Sequence, residues 1–245
     1  GEDAVKASTT MHLPRPENML SEQYSSYITR AMFYGATGRT LAGLGGAVFR
    51  KRPIVQIPDR LRDALYNITL TGVPFDTFAQ RVVEETLALG RYGVMVDRPP
   101  EENGRAYMRG YPAESICNWR TADINGKEML EQVILSEKGN KVNDDGFGST
   151  EYERYRVLEL DDEGKYRVRV FVEGRDVDTF ILEDEYVPTK RGERLDYIPF
   201  QFFGPTDLSP NVEKSPLIDL ANVNISHYRT SACLLYTSDA ADELC

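Results

Sequence analysis

Hydrophobic residues recur at helical spacing through the first third of the chain, alternate through the middle, and return to helical spacing near the end. Ser21 is a helix cap with Glu22 in the first turn, and Tyr24, Tyr27, Ile28, Ala31 and Met32 form one apolar stripe behind it. Gly35 and Gly38 weaken the middle of that helix. Leu41, Leu44, Val48 and Phe49 then carry the stripe on to the basic run Arg50, Lys51 and Arg52, which suits a helix C-terminus, and Pro53 marks a stop. A short helix is predicted around Asp59 to Asn67. Pro74 opens a further helix with its stripe at Phe75, Phe78, Val82, Val83, Thr86 and Leu87, ending at Gly90.

From there the period changes to two. Tyr92 to Asp97 is a short apolar strand closed by Pro99 and Pro100, and Glu101 to Arg105 is a polar loop. Ala106 to Tyr111, Ile116 to Thr121 and Glu131 to Glu137 are predicted strands. Asn140 to Thr150 is rich in Asn, Asp, Gly and Ser and is expected to be a loop. Tyr152 to Leu160 and Lys165 to Glu173 flank Asp161-Asp162-Glu163-Gly164, a hairpin signal. In the second of these strands Tyr166, Val168, Val170 and Val172 alternate with Arg167, Arg169 and Phe171, so one face is expected to be buried. Thr179 to Val187 and Ile198 to Phe203 are the last strands, before a helix over Leu217 to Ala232 that Pro216 opens.

Helices, then meandering strands, then a helix give an α+β fold with a mostly antiparallel sheet and a closing helix. The expected organisation is an extended arm over 1–20, broken by Pro14 and Pro16, and one domain over 21–232. Within that domain 21–90 is helical, 91–204 is β-rich and 216–232 is the closing helix.

The 245 residues suffice for a substantial core, with 41% hydrophobic and 28% charged residues. No run approaches the length a membrane span needs, and the start carries no secretory signal. It lacks an initiating Met, so the chain is expected to begin inside a longer product. The net charge of −10 argues against a surface that grips phosphate backbones, but not against a protein that DNA passes without sticking to. Cys117, Cys233 and Cys245 form no Cys-x-x-Cys and no disulfide framework, which fits a reducing compartment.

Candidate chemistry is sparse. His12 and His227 lie far apart with no ligand at metal spacing. Cys117 lies in a strand-like run and is expected to be a small buried hydrophobe rather than a nucleophile. Gly35-Ala36-Thr37-Gly38-Arg39-Thr40 has two residues between its glycines where a phosphate loop needs four, and Arg39 where it needs Lys. Gly43-Leu44-Gly45-Gly46 follows a helix rather than a strand, and its expected role is close packing of that helix on a neighbour. Asp144-Asp145 and Asp161-Asp162-Glu163 lack calcium-loop spacing and are expected to be solvated turn residues. Trp119, between Asn118 and Arg120, is expected to pack under a strand crossover. No catalytic, cofactor-binding or metal-binding residue is assigned.

The string from Cys233, Cys-Leu-Leu-Tyr-Thr-Ser-Asp-Ala-Ala-Asp-Glu, resembles a translated sequencing adapter, so 233–245 is expected to be non-native and the native sequence to continue beyond Ala232. Without its three acids the charge becomes −10 + 3 = −7.

A set of segments in order resembles the portal proteins of tailed bacteriophages and their portal-like domains. They are Val5-Lys6 with Leu13-Pro14-Arg15-Pro16, Tyr27 to Ala31, Gly38 to Gly46, Val48 to Pro53, Leu89 to Asp97, Tyr111 to Ile116 with Asn118-Trp119, Ile198-Pro199-Phe200, and Ser215 to Ala221 through Asn224 with His227 to Ala232. In that family the last segment runs on into an acidic stretch, where here Cys233 breaks the pattern.

The resemblance covers nearly all of 1–232. It implies a non-enzymatic subunit of a homo-oligomeric ring, commonly a dodecamer, at one capsid vertex of the virion, assembled in the host cytoplasm. It implies terminase, capsid and tail-adaptor proteins as partners, with double-stranded DNA passing through the channel, no sequence-specific DNA binding and no membrane. It implies no cofactor. The chain would match the wing region of a portal, with the parts that meet DNA and terminase in sequence beyond it. The alternatives are another virion component carrying the same domain, and an enzyme acting on nucleotides, for which Arg39 is the side chain to test.

Overall fold

A computed structural model describes residues 38–51, 54–98, 104–124, 126–142, 148–174 and 179–242. The predicted arm over 1–20, the first half of the first helix, His12 and Asp144-Asp145 lie outside the described residues. The architecture is α+β, with helices first, an antiparallel sheet after them and a helix at the end. The chain forms two compact units, each assembled from separate stretches. One comprises Met95–Ala106 and Glu114–Phe200; the other comprises Tyr107–Ala113 with the described residues before Met95 and after Phe200.

The first unit is built on a five-stranded antiparallel meander, β3 (Ile116–Ile124), β4 (Lys127–Val142), β5 (Ser149–Leu160), β6 (Tyr166–Glu173) and β7 (Phe180–Tyr186), in that spatial order. The pairing of Glu137 with Arg154, Leu135 with Arg156 and Val133 with Leu158 sets the β4–β5 register. It places Val133, Leu135, Leu158, Val168 and Val170 on one face, all buried. The predicted alternation along β6 holds for that face. Phe171, on the opposite face, is buried as well and packs with Ile134 and Val157, with Cys117, Tyr155 and Phe180 against them. The sheet therefore carries apolar clusters on both sides.

The β4–β5 connection differs from the expected loop over Asn140 to Thr150. Asn140, Lys141 and Val142 pair with Glu151, Thr150 and Ser149, extending both strands. Ladder hydrogen bonds along two long neighbouring strands outweigh the loop-like composition. The predicted hairpin between β5 and β6 forms at Asp161 to Gly164, with Gly164 at φ 71°. A further hairpin joins β8 (Thr189–Lys190) to β9 (Glu193–Arg194) through Arg191 and Gly192, both at positive φ, as a two-residue primed turn requires.

The second unit holds α1 (Gly38–Val48), a 3-10 turn (Asp59–Leu61) leading into α2 (Arg62–Tyr66), α3 (Phe75–Leu89) and α4 (Ile218–Asp242). A three-stranded sheet has the order β10 (Phe200–Phe203), β1 (Tyr92–Asp97), β2 (Tyr107–Pro112); the chain passes between the units within β1, on either side of Tyr107–Ala113, and within β10. One core cluster joins Leu41 of α1, Ala88 and Leu89 of α3 and Ala221 of α4. A second joins Ile68, Phe78, Val82, Tyr92 and Val94.

Helix α4 runs past the predicted end at Ala232 to Asp242. Leu234, Leu235, Ala240 and Ala241 are good helix formers, and no Gly or Pro follows Pro216 to stop it. Within it Ala221 is buried, while Tyr228 is 75% exposed.

Candidate functional site

The densest polar chemistry among the described residues lies on the five-stranded sheet. Glu137 falls in the same alternation phase as Val133 and Leu135, and Arg154 and Arg156 fall in phase with Leu158, so the strand period turns all three charges toward the buried face. Glu137 is 5% exposed and Arg156 7%. Arg156 Nε donates to Glu137 Oε1 at 2.9 Å, and Arg154 Nε donates to Glu137 Oε2 at 3.0 Å. Arg156 Nη1 also donates to the Tyr186 hydroxyl and lies 3.6 Å from Asp97 Oδ2. Two carboxylates thus face two guanidiniums.

Burial pushes the Tyr186 phenol up to about 12, against the opposing pull of Arg156. Burial, with the Asp97 charge adding to it, raises Tyr166 further. Both phenols stay neutral hydrogen-bonding groups at ordinary pH.

The opposite face carries a second cluster. Glu159 Oε1 lies 2.7 Å from both Arg167 Nη2 and Arg169 Nε, and Glu159 Oε2 accepts from Arg169 Nη2 at 2.8 Å. Gln132 donates to the same oxygen at 3.3 Å, and Arg167 reaches Glu185 at 3.5 Å. Here too the charges cancel.

These clusters hold no His, Cys or Lys. The geometry is that of charge-assisted clamps that lock neighbouring strands in one register. Sequence analysis does not single out Glu137, Arg156 or Glu159, because a charged residue in a strand gives no sign of burial until its face is known. Their phase relative to Val133, Leu135 and Val157 was the signal that could have found them.

The residues weighed from sequence lie elsewhere. Cys117 is half-buried beside the Ile134 cluster, and burial pushes its thiol up to about 11, so it stays a protonated, apolar-like group. Trp119 is on edge strand β3, paired with Val133. Gly38, Arg39 and Thr40 form the first turn of α1. Of the glycines after them only Gly45 is closely packed: a Cβ there would lie 2.5 Å from Glu84 Oε1, while Gly43 and Gly46 face open space. Asp161 is more than a solvated turn residue. Its Oδ1 accepts from the Glu163 and Lys165 amides, and its carboxylate pairs with Arg194; the Lys165 amide, foremost, and Arg194 hold its pKa below the usual range. Arg50, Lys51 and His227 are exposed. Among the described residues no group of three or more His, Cys, Asp or Glu is placed to hold a metal ion, and no helix is long and apolar enough to cross a membrane.

The second unit brings together the end of α3 and the segment leading into α4, with hydrogen bonds that span 119 to 128 positions. Ser215 Oγ donates to the Ala88 carbonyl at 2.6 Å and the Leu87 carbonyl at 3.1 Å, satisfying the end of α3. Gly90 ends that helix at φ 74°, and a Cβ there would lie 2.7 Å from the Glu213 carbonyl oxygen. Arg91, 7% exposed, stacks 4.5 Å over the Phe202 ring and donates to the Pro210 carbonyl at 3.1 Å. These side chains serve packing and capping.

No protein-family model matches the chain, and no curated protein sequence matches it.

Proposed function

We infer that this chain is a structural subunit of a phage portal, a head–tail connector ring through which double-stranded DNA enters and leaves the capsid. The observation that carries this reading is the ordered set of portal-like segments running from Val5 to Ala232. Two of those segments, Leu89 to Asp97 and Ser215 to Ala221, supply the groups that cap α3 and pack against it, which is what motifs of architectural rather than chemical origin would do. The charge clusters support the same reading, since both are neutral clamps inside a sheet. The net charge of −10 suits a ring that DNA slides through, because a basic wall would bind the phosphates and hold them. Negative-stain electron microscopy of the purified protein tests this directly. Closed rings with a central hole are expected, and particles that remain monomeric at every concentration would overturn it.

A further inference from the structure

Charge is distributed unevenly along this acidic chain. Residues 23–58 contain Arg30, Arg39, Arg50, Lys51 and Arg52 and no carboxylate. Residues 173–187 contain six carboxylates against Arg175 alone. The described parts of these two stretches, α1 and β7, belong to different compact units.

Both elements also expose apolar surface. From Leu41 to Phe49 helix α1 has no polar side chain, yet only Leu41 and Gly45 are buried. Leu44 is 39% exposed and Val48 62%, followed at once by exposed Arg50 and Lys51. A helix that is apolar all round normally has all its faces covered. Strand β7 is an edge of the five-stranded sheet, with Ile181 55% and Leu182 46% exposed beside exposed Glu183, Asp184 and Glu185. An open edge bearing apolar residues invites pairing unless something covers it, and three like charges there oppose pairing of β7 with a second β7.

We propose that the apolar and basic surface of α1, ending at Arg50 and Lys51, docks against the apolar and acidic edge strand β7 of a second copy of this chain. The two surfaces match in charge sign and in apolar content, and being different surfaces they form a head-to-tail contact. Such a contact propagates from copy to copy, closing into a ring if the rotation permits; the ring outcome rests on the portal reading above.

The test is self-association of the full chain, followed by mass photometry and light scattering across concentration and salt. Association should weaken as salt rises from about 0.05 to 0.5 M. R50E/K51E and E183K/D184K should each raise the concentration of half-association by about tenfold or more, and the chain carrying all four changes should return to within about threefold of the original. Val48→Ser should weaken association too, with an unchanged far-ultraviolet circular dichroism spectrum and melting temperature as the folding control. Rings indifferent to every substitution would overturn the interface and leave the portal reading standing. Open chains that obey the charge swap but never close would uphold the interface and sink the portal reading. Monomers up to about 100 μM, a concentration at which even weak specific contacts are populated, would sink both.

Discussion

Glu137 shows how one residue can hold a sheet together. Its carboxylate takes hydrogen bonds from Arg154 and Arg156 while 5% exposed, so removing it takes from buried Arg156 the carboxylate at 2.9 Å and leaves Asp97 at 3.6 Å. Glu137→Ala is expected to cost about 3–5 kcal/mol in urea unfolding, the range for breaking one side of a buried pair. A double change, Glu137→Leu with Arg156→Met, should recover much of that loss, because apolar residues of similar volume often replace a buried pair at little cost. A Glu137→Ala loss below about 1 kcal/mol, the level of an exposed pair, would show that the cluster contributes little. Cys117 permits a sharper reading. Its thiol is pushed up to about 11 by burial, so the folded group binds its proton more tightly than the unfolded one. Its contribution to stability is therefore full below the unfolded pKa near 9 and is lost as pH rises through 11. Alkylation by iodoacetamide in native buffer at pH 8 should be far slower at Cys117 than at the exposed Cys233; equal rates would contradict the burial.

Elements were legible where local chemistry and tertiary packing agree. Pro74 and Gly90 bracket α3, and the strand Tyr92–Asp97 ends where it was predicted to end. Elements were misjudged where pairing partners decide. Asn140 to Val142 have loop composition, and only the facing strand makes them extended. The β8–β9 hairpin has two residues per strand and no hydrophobic pattern, so nothing but Arg191-Gly192 could mark it. Gly90 offers the clearest test at this scale. Its φ of 74° excludes a comfortable side chain, and an added Cβ would press on the Glu213 carbonyl at 2.7 Å. Gly90→Ala should therefore destabilise the protein by about 2–4 kcal/mol, combining the left-handed penalty with overpacking. A chevron or urea curve showing under about 1 kcal/mol would mean that α3 can end in another way.

At the scale of the whole molecule, the α+β order and the change of period near Gly90 were readable, but the division into two compact units was not. Each unit is assembled from separate stretches, and two of the passages between them fall inside strands β1 and β10, where composition does not change. The buried charge clusters were hidden for a related reason, since a charged residue reads as surface until its strand register is known. Net charge, in contrast, needs no fold. With −10 overall, the one basic stretch over 23–58 is outweighed by acidic surface, and few phosphates can be neutralised at once. If the portal proposal holds, this chain should then show no retardation of a short duplex at about 150 mM salt. That should hold even at about 100 μM protein, the weak end of ordinary non-specific affinity. Lowering the salt to about 20 mM should reveal at most weak binding with a shallow salt slope, because that slope counts the cations engaged. Tight binding with a slope of several units would reveal a basic surface that grips phosphates, and the proposed ring that DNA slides through would have to be abandoned.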